Sequence, residues 1–161
     1  MDKTPLHQLI LQRLAADLDV AVRAAQTAHE TATHEENVAE NKYDTLGLEA
    51  AYLAAGQSRR VEEIRQALAR LQQLILRDHD DALGIQTSAL LALAPIDGGE
   101  TLWAFLAPDA AGLKVNYQGR EILLITPRSP LGGSLLGRQI GDEVETGQGR
   151  ARQTYEILEA H

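Results

Sequence analysis

Cysteine is absent from the 161 residues, which excludes a disulfide framework, a thiolate metal site and a cysteine nucleophile, and suits a reducing cytosol. Aromatic residues are scarce: one Phe, one Trp and four Tyr argue for helix seams and a small β core over a large aromatic-lined pocket. Positive charge is also short. Fifteen Lys and Arg against 23 Asp and Glu leave a net charge of −8, and so acidic a chain is poorly suited to grip nucleic acid, because phosphate affinity comes from clustered Lys and Arg. No stretch approaches the ~18 consecutive apolar residues of a membrane span. The first residues, MDKTPLHQLILQRL, interrupt their apolar positions too often for an export signal, so a cytoplasmic protein with no membrane partner is expected.

Glycine and proline are missing from one half only. Residues 1–77 hold Pro5, Gly47 and Gly56, whereas residues 78–161 hold four prolines and eleven glycines. The first half is rich in Ala, Leu, Gln, Glu and Arg, all strong helix formers, and Pro5 after Thr4 suits the first turn of a helix. Leu6, Ile10, Leu14, Leu18, Ala21, Ala25, Ala28 and Ala32 recur at helical spacing. A second stripe runs through Tyr43, Gly47, Ala50, Ala54, Gln57, Val61, Ile64, Leu68, Leu71 and Ile75, its last part stepping by alternating threes and fours. Matching large with large and small with small requires antiparallel pairing, so a helical hairpin of roughly 45 Å is expected over 1–77. Its two mid-helix glycines each cost about 1 kcal/mol relative to Ala.

Residues 78–161 alternate short apolar runs with turn signals. Strands are expected at 88–94, 101–107, 113–117, 121–125 and 154–158, with hairpin turns at Asp97-Gly98-Gly99 and Gln118-Gly119 and a short helix near 131–136. The predicted fold class is α+β: a long antiparallel coiled-coil hairpin over 1–77 followed by a small antiparallel β domain over 78–161.

Charge within the hairpin is uneven. Residues 30–44 hold Glu30, Glu35, Glu36, Glu40 and Asp44 against Lys42 alone, while Arg59, Arg60, Arg65, Arg70 and Arg77 outnumber Glu62 and Glu63 over 59–77. The acidic run falls at the expected turn. Thr33-x-x-Glu36 and Asn37-x-x-Glu40 also read as capping boxes that would start the second helix, a purely structural use of these acids. The tip histidines His29 and His34 are five apart, not the four of a zinc-binding HExxH helix. Leu131-Gly132-Gly133-Ser134 lacks the Lys of a phosphate loop, and no Gly-x-Ser-x-Gly elbow occurs. A complete active site is therefore not expected.

These residues resemble the bacterial Gre transcript-cleavage factors. The family's tip pattern, Asp-x-x-Glu-Asn followed by an acid and a Tyr, is matched by Asn37-Val-Ala-Glu40-Asn41-Lys42-Tyr43-Asp44. A more specific match runs from Ser129-Pro130-Leu131 through Gly137-Arg138 and Gly141-Asp142-Glu143-Val144 to Tyr155-Glu156-Ile157. The resemblance implies an FK506-binding-protein-like second domain docked at the rim of the RNA polymerase secondary channel, with the hairpin passing down that channel. It implies a monomeric accessory factor that reaches nascent RNA only through the polymerase. It further implies tip acids that share a Mg²⁺ with the polymerase, bind none stably alone, and stimulate the polymerase's own cleavage of backtracked RNA. On this reading Glu36 and Glu40 hold the metal, Asn37 and Asp44 support the chemistry, and Asn41, Tyr43, Ser129, Pro130, Gly137 and Asp142 contact the partner.

Asn37 stands where the family has its first acid, and a neutral amide holds Mg²⁺ less strongly than a carboxylate. Two other readings therefore stay open: a secondary-channel regulator that binds polymerase without stimulating cleavage, and an adaptor with a dimerising hairpin and a ligand-binding β domain. The adaptor calls for a second apolar stripe on the hairpin, and Leu9, Leu11 and Leu53 are scattered instead.

Overall fold

The computed structural model describes residues 1–34 and 45–161. Helix α1 (Thr4–Thr33) and helix α2 (Thr45–Gln72) precede strands β1 (Leu90–Pro95), β2 (Leu102–Leu106), β3 (Lys114–Tyr117) and β4 (Arg120–Ile125), then helix α3 (Pro130–Leu135) and strands β5 (Glu143–Thr146) and β6 (Gln153–Ala160). Composition changes near residue 77, but compactness divides the chain elsewhere. One unit joins Met1–Leu11 to Arg70–His161, and the other is Gln12–Ala69.

Within Gln12–Ala69 the expected stripes are the inner faces. Leu14, Ala21 and Ala28 of α1 and Val61 and Ile64 of α2 are buried, with Leu18, Ala25, Ala32, Ala50, Ala54, Gln57 and Leu68 half-buried; Ala67, outside the expected stripe, is buried beside Leu68. Arg23, Ala24, Thr27, Ala28 and Thr31 share one hollow with Ala50, Leu53 and Gln57, so the second helix lies alongside the first. Two expectations change. Ile75, assigned to the seam, is 70% exposed because α2 ends at Gln72. Thr33 closes α1, where its hydroxyl donates back to the His29 carbonyl at 2.9 Å; its expected capping partner Glu36 lies outside the described residues. Leu48 and Tyr52, one turn apart on α2, are also exposed along with Leu53, so the outer apolar residues are less scattered than the sequence suggests.

The other unit is built on a six-stranded sheet in the order β3-β4-β2-β1-β6-β5. Both expected hairpins form. Asp97-Gly98-Gly99 lies between β1 and β2, which pair antiparallel from Leu90 opposite Phe105 to Leu93 opposite Leu102. Gln118 and Gly119 join β3 to β4 with φ of 51° and 75°, the paired positive values that let a two-residue turn follow the strand twist. The sheet is nevertheless mixed where antiparallel pairing throughout was expected, because β4 runs parallel to β2. The loop after β2 carries β3 one strand position outward, and the tight β3–β4 turn then returns β4 into the gap, in the direction of β2. A sixth strand, β5, was also missed: only Val144 of its four residues is buried, so an edge strand this short carries little periodic signal.

The sheet is buried on both faces. Strand alternation sends Leu91, Leu93, Ala104, Leu106, Ile125, Tyr155 and Ile157 to one side, where they form a single core with Leu135 of α3. Leu90, Phe105, Ile122 and Leu124 point the other way and are equally buried. Leu6, Ile10 and Leu71 of the same unit are likewise wholly buried. Half-buried Trp103, also on this second face, carries the Arg120 guanidinium 4.1 Å from its ring centre.

Polar contacts fix the helix ends. The buried Lys3 ammonium donates to the carbonyls of Arg77 and, at 2.7 Å, His161. His161 in turn exchanges both backbone hydrogen bonds with Leu90 on β1. A His7 ring nitrogen lies 2.6 Å from the Leu71 carbonyl in the last turn of α2. Arg70 pairs with Asp109 at 2.6 Å, and the Thr4 amide donates to Asp2, whose carboxyl pKa is lowered by hydrogen bonding to the Thr4 side chain and then to its amide. Burial lowers the Lys3 pKa, against an opposing effect of Asp78. Because the folded state then holds this proton less tightly than the unfolded chain, its contribution to stability rises as pH climbs from the folded pKa toward 10.5. Lys3→Met, which leaves two carbonyls without this donor, should cost roughly 2 kcal/mol at pH 7 in urea denaturation. The gap to the parent should widen as pH rises toward 10.5; a narrowing gap would contradict this assignment.

Candidate functional site

Of the residues expected to act on a partner or metal, Glu36, Asn37, Glu40, Asn41, Tyr43 and Asp44 lie outside the described residues. Ser129, Pro130, Gly137 and Asp142 are described, and they fall in one continuous stretch around α3. Ser129 is the N-cap of that helix. Its hydroxyl donates to the Thr126 carbonyl at 2.6 Å and accepts from the Thr126 and Gly132 amides, both at 3.3 Å. Pro130 follows in the first turn, where a missing N–H is harmless. The helix start lies so close to β4 that a Cβ on Gly132 would stand 1.9 Å from the Thr126 oxygen.

After α3 the chain is tied to the loop before β1. The Gly137 amide donates to Ile85, the Ile85 amide donates to Arg138, and the Gln139 side-chain amide reaches the Asp81 carbonyl at 2.8 Å. Asp142 then closes the turn into β5: its carboxylate accepts the Gln139 amide at 2.9 Å, and its own carbonyl accepts from Ile157 on β6. On the other flank, Asp109 accepts Arg70 at 2.6 Å and lies 3.9 Å from Arg128, so the residue before the N-cap faces an anchored carboxylate.

Three of the four motif residues thus have structural work: Ser129 caps, Gly137 bonds to Ile85 and Asp142 closes a turn. Pro130 is exposed. What the scaffold presents is apolar. Leu83, Leu136 and Ile140, on the two tied segments, are 57%, 40% and 48% exposed. The sequence reading missed them, since single leucines and isoleucines beside glycines look like strand or helix residues until the turns are known. Among the described residues no group of three or more His, Asp or Glu could hold a metal ion, and no helix is long and apolar enough to cross a membrane.

No family model matches the chain. Over 150 residues, 92% of this chain and 83% of the relative, it is 31% identical to transcription elongation factor GreA of Desulfovibrio desulfuricans. Among solved structures it aligns with GreA factor homolog 1 of Thermus thermophilus at 24% identity and a TM-score of 0.39, covering 94% of each chain. It also aligns with the GreA/GreB elongation factor of Nitrosomonas europaea at 20% identity and a TM-score of 0.35, over 60% of this chain and 78% of that one. The chain belongs to the GreA family of transcription elongation factors.

The geometry around α3 is directly testable. Ser129→Ala should cost about 1 kcal/mol, the loss of one cap. Gly132→Ala should cost more, about 2–3 kcal/mol, because its Cβ displaces the backbone of Thr126. Urea unfolding at pH 7 ranks them, and a neutral Gly132→Ala would refute the described approach of α3 to β4.

Proposed function

We propose that the protein binds bacterial RNA polymerase in the cytoplasm, enters its secondary channel with the hairpin, and stimulates the polymerase's cleavage of backtracked RNA. The observation that carries this reading is 31% identity to a GreA factor across nearly the whole chain, the acidic run at residues 30–44 included. A factor that lends groups to another enzyme's active centre needs no complete site of its own, which suits a chain without a catalytic constellation in its sequence.

The donors in the sequence between the two long helices fit a hard cation by their chemistry. Glu40 and Glu36 offer carboxylate oxygens, Asn37 adds a neutral amide oxygen and Asp44 a further acid. A Mg²⁺ shared with the polymerase would supply Lewis-acid activation of the attacking water. The chain's own part is to bring negative charge to that cation and a hydrogen-bond acceptor to the water, with Asn41 and Tyr43 against the polymerase. Docking falls to the scaffold around α3: Ser129, Gly137 and Asp142 hold the loops, and Pro130, Leu83, Leu136 and Ile140 meet the partner at the channel rim.

Asn37 favours a second reading, the same docking by a regulator that leaves cleavage unstimulated. Backtracked complexes given the protein and Mg²⁺ should release short 3′ RNA fragments, and Glu40→Ala should slow release at least ~100-fold. No release by the parent, with binding intact, selects the regulator. Leu136→Ser combined with Ile140→Ser should weaken polymerase binding about 10-fold while altering stability by less than ~0.5 kcal/mol per exposed site. Unchanged binding would remove the scaffold's docking role.

A further inference from the structure

The outer face of α2 carries a pattern that nothing within the chain explains. Gly56 lies mid-helix, where glycine lowers helix stability relative to alanine, and a Cβ built on it meets nothing within 4 Å. No contact inside the described structure therefore requires a glycine there. One turn earlier, Tyr52 is 75% exposed, and one turn before that Leu48 is 51% exposed. These three positions fall within about 80° of arc, on one face opposite the buried Val61 seam. About the centre of this arc Glu49 and Arg60 lie on one side, Arg60 being the next residue of the same row, and Arg59 lies about 20° off the centre on the other. Among the described residues Glu49 and Arg59 make no ion pair, and Arg60 holds only an exposed contact with Glu63 at 3.8 Å, of the kind worth little in water.

We infer that this face self-associates, two copies of α2 packing antiparallel about a two-fold axis at Ala54. The occupant is assigned by self-complementarity, which a two-fold interface demands. Antiparallel pairing about Ala54 sets the Tyr52 ring of each copy over the bare backbone of Gly56 in the other, a large side chain against the one position with room for it. On one flank Glu49 meets Arg60 of the second copy, and by symmetry Arg60 meets Glu49. On the other flank the aliphatic stem of Arg59 covers Leu48 of the second copy. All three pairs are centred within about half a residue of the same point, so one register satisfies size, apolar cover and charge together. A parallel arrangement would set Tyr52 against Tyr52 and Glu49 against Glu49.

A contact of about four helical turns buries less than the ~1,200 Å² of a standard stable interface, so the association is weak and concentration-dependent. It covers the hairpin face and therefore competes with any partner that surrounds the hairpin. The inference does not depend on polymerase binding.

Sedimentation equilibrium of the full chain over a concentration series tests it. The parent should show reversible dimer formation. Tyr52→Ser and Gly56→Leu should each raise the dissociation constant at least tenfold, with the helical circular dichroism unchanged. Glu49→Arg and Arg60→Glu should each weaken association, and the double exchange should restore it to within about threefold of the parent, a rescue that only the two-fold register gives. A chain monomeric at every concentration overturns the proposal, even if Tyr52→Ser weakens binding to some other partner. A dimer indifferent to Gly56→Leu, or not rescued by the double exchange, overturns it equally.

Discussion

A single buried ammonium group closes the sheet-bearing unit. Lys3 reaches the carbonyls of Arg77, past the end of α2, and of His161, beside β1. Three stretches far apart in sequence are thereby tied at one point. Burying an ammonium is expensive without partners, and the lowered pKa of Lys3 expresses that cost. The cost is tolerated because the helix ends have more to contribute: Leu6, Ile10 and Leu71 are wholly buried in the same unit as Leu90, Phe105 and Leu124. The His7–Leu71 and Arg70–Asp109 contacts hold the same helix ends. The two long helices thus belong partly to the sheet-bearing unit, which composition alone divides differently.

What could be read in the sequence was whatever repeats locally. The Leu–Ala stripe of α1 and the Val61–Ile64–Leu71 part of α2 follow a 3.6-residue period that burial enforces turn after turn. The two hairpins announce themselves through Asp97-Gly98-Gly99 and Gln118-Gly119, whose backbone needs are local. The parallel β2–β4 pair could not be read, since it depends on where a loop carries β3 and not on any residue within the strands. Val144 alone among its neighbours cannot declare an edge strand. Lys3 looked like an ordinary surface lysine, because nothing near it in sequence hints at two carbonyls 74 and 158 positions away.

The functional residues show the same division. Ser129, Gly137 and Asp142 were recognisable as a motif, and the geometry explains why: Ser129 and Asp142 fix loops through their side chains, and Gly137 turns the chain at a φ of 74° that favours glycine. Residues that hold a scaffold must be particular, whereas Leu83, Leu136 and Ile140 are simply apolar and exposed, which leaves no signature. Glu36 and Glu40, outside the described residues, were singled out for a different reason. Carboxylates clustered in sequence repel one another, and that cost calls for solvent, a helix terminus or a cation.

The account rests on the first turns of α1 being part of the sheet-bearing unit, and native-state hydrogen exchange of the full chain reads this directly. Amides of Leu6 to Ile10 should open with the same free energy as those of Leu91 and Leu93 on β1, and Lys3→Met should lower both sets together. Amides at 6–10 that instead exchange in step with Ala21 to Ala28, unaffected by Lys3→Met, would contradict it.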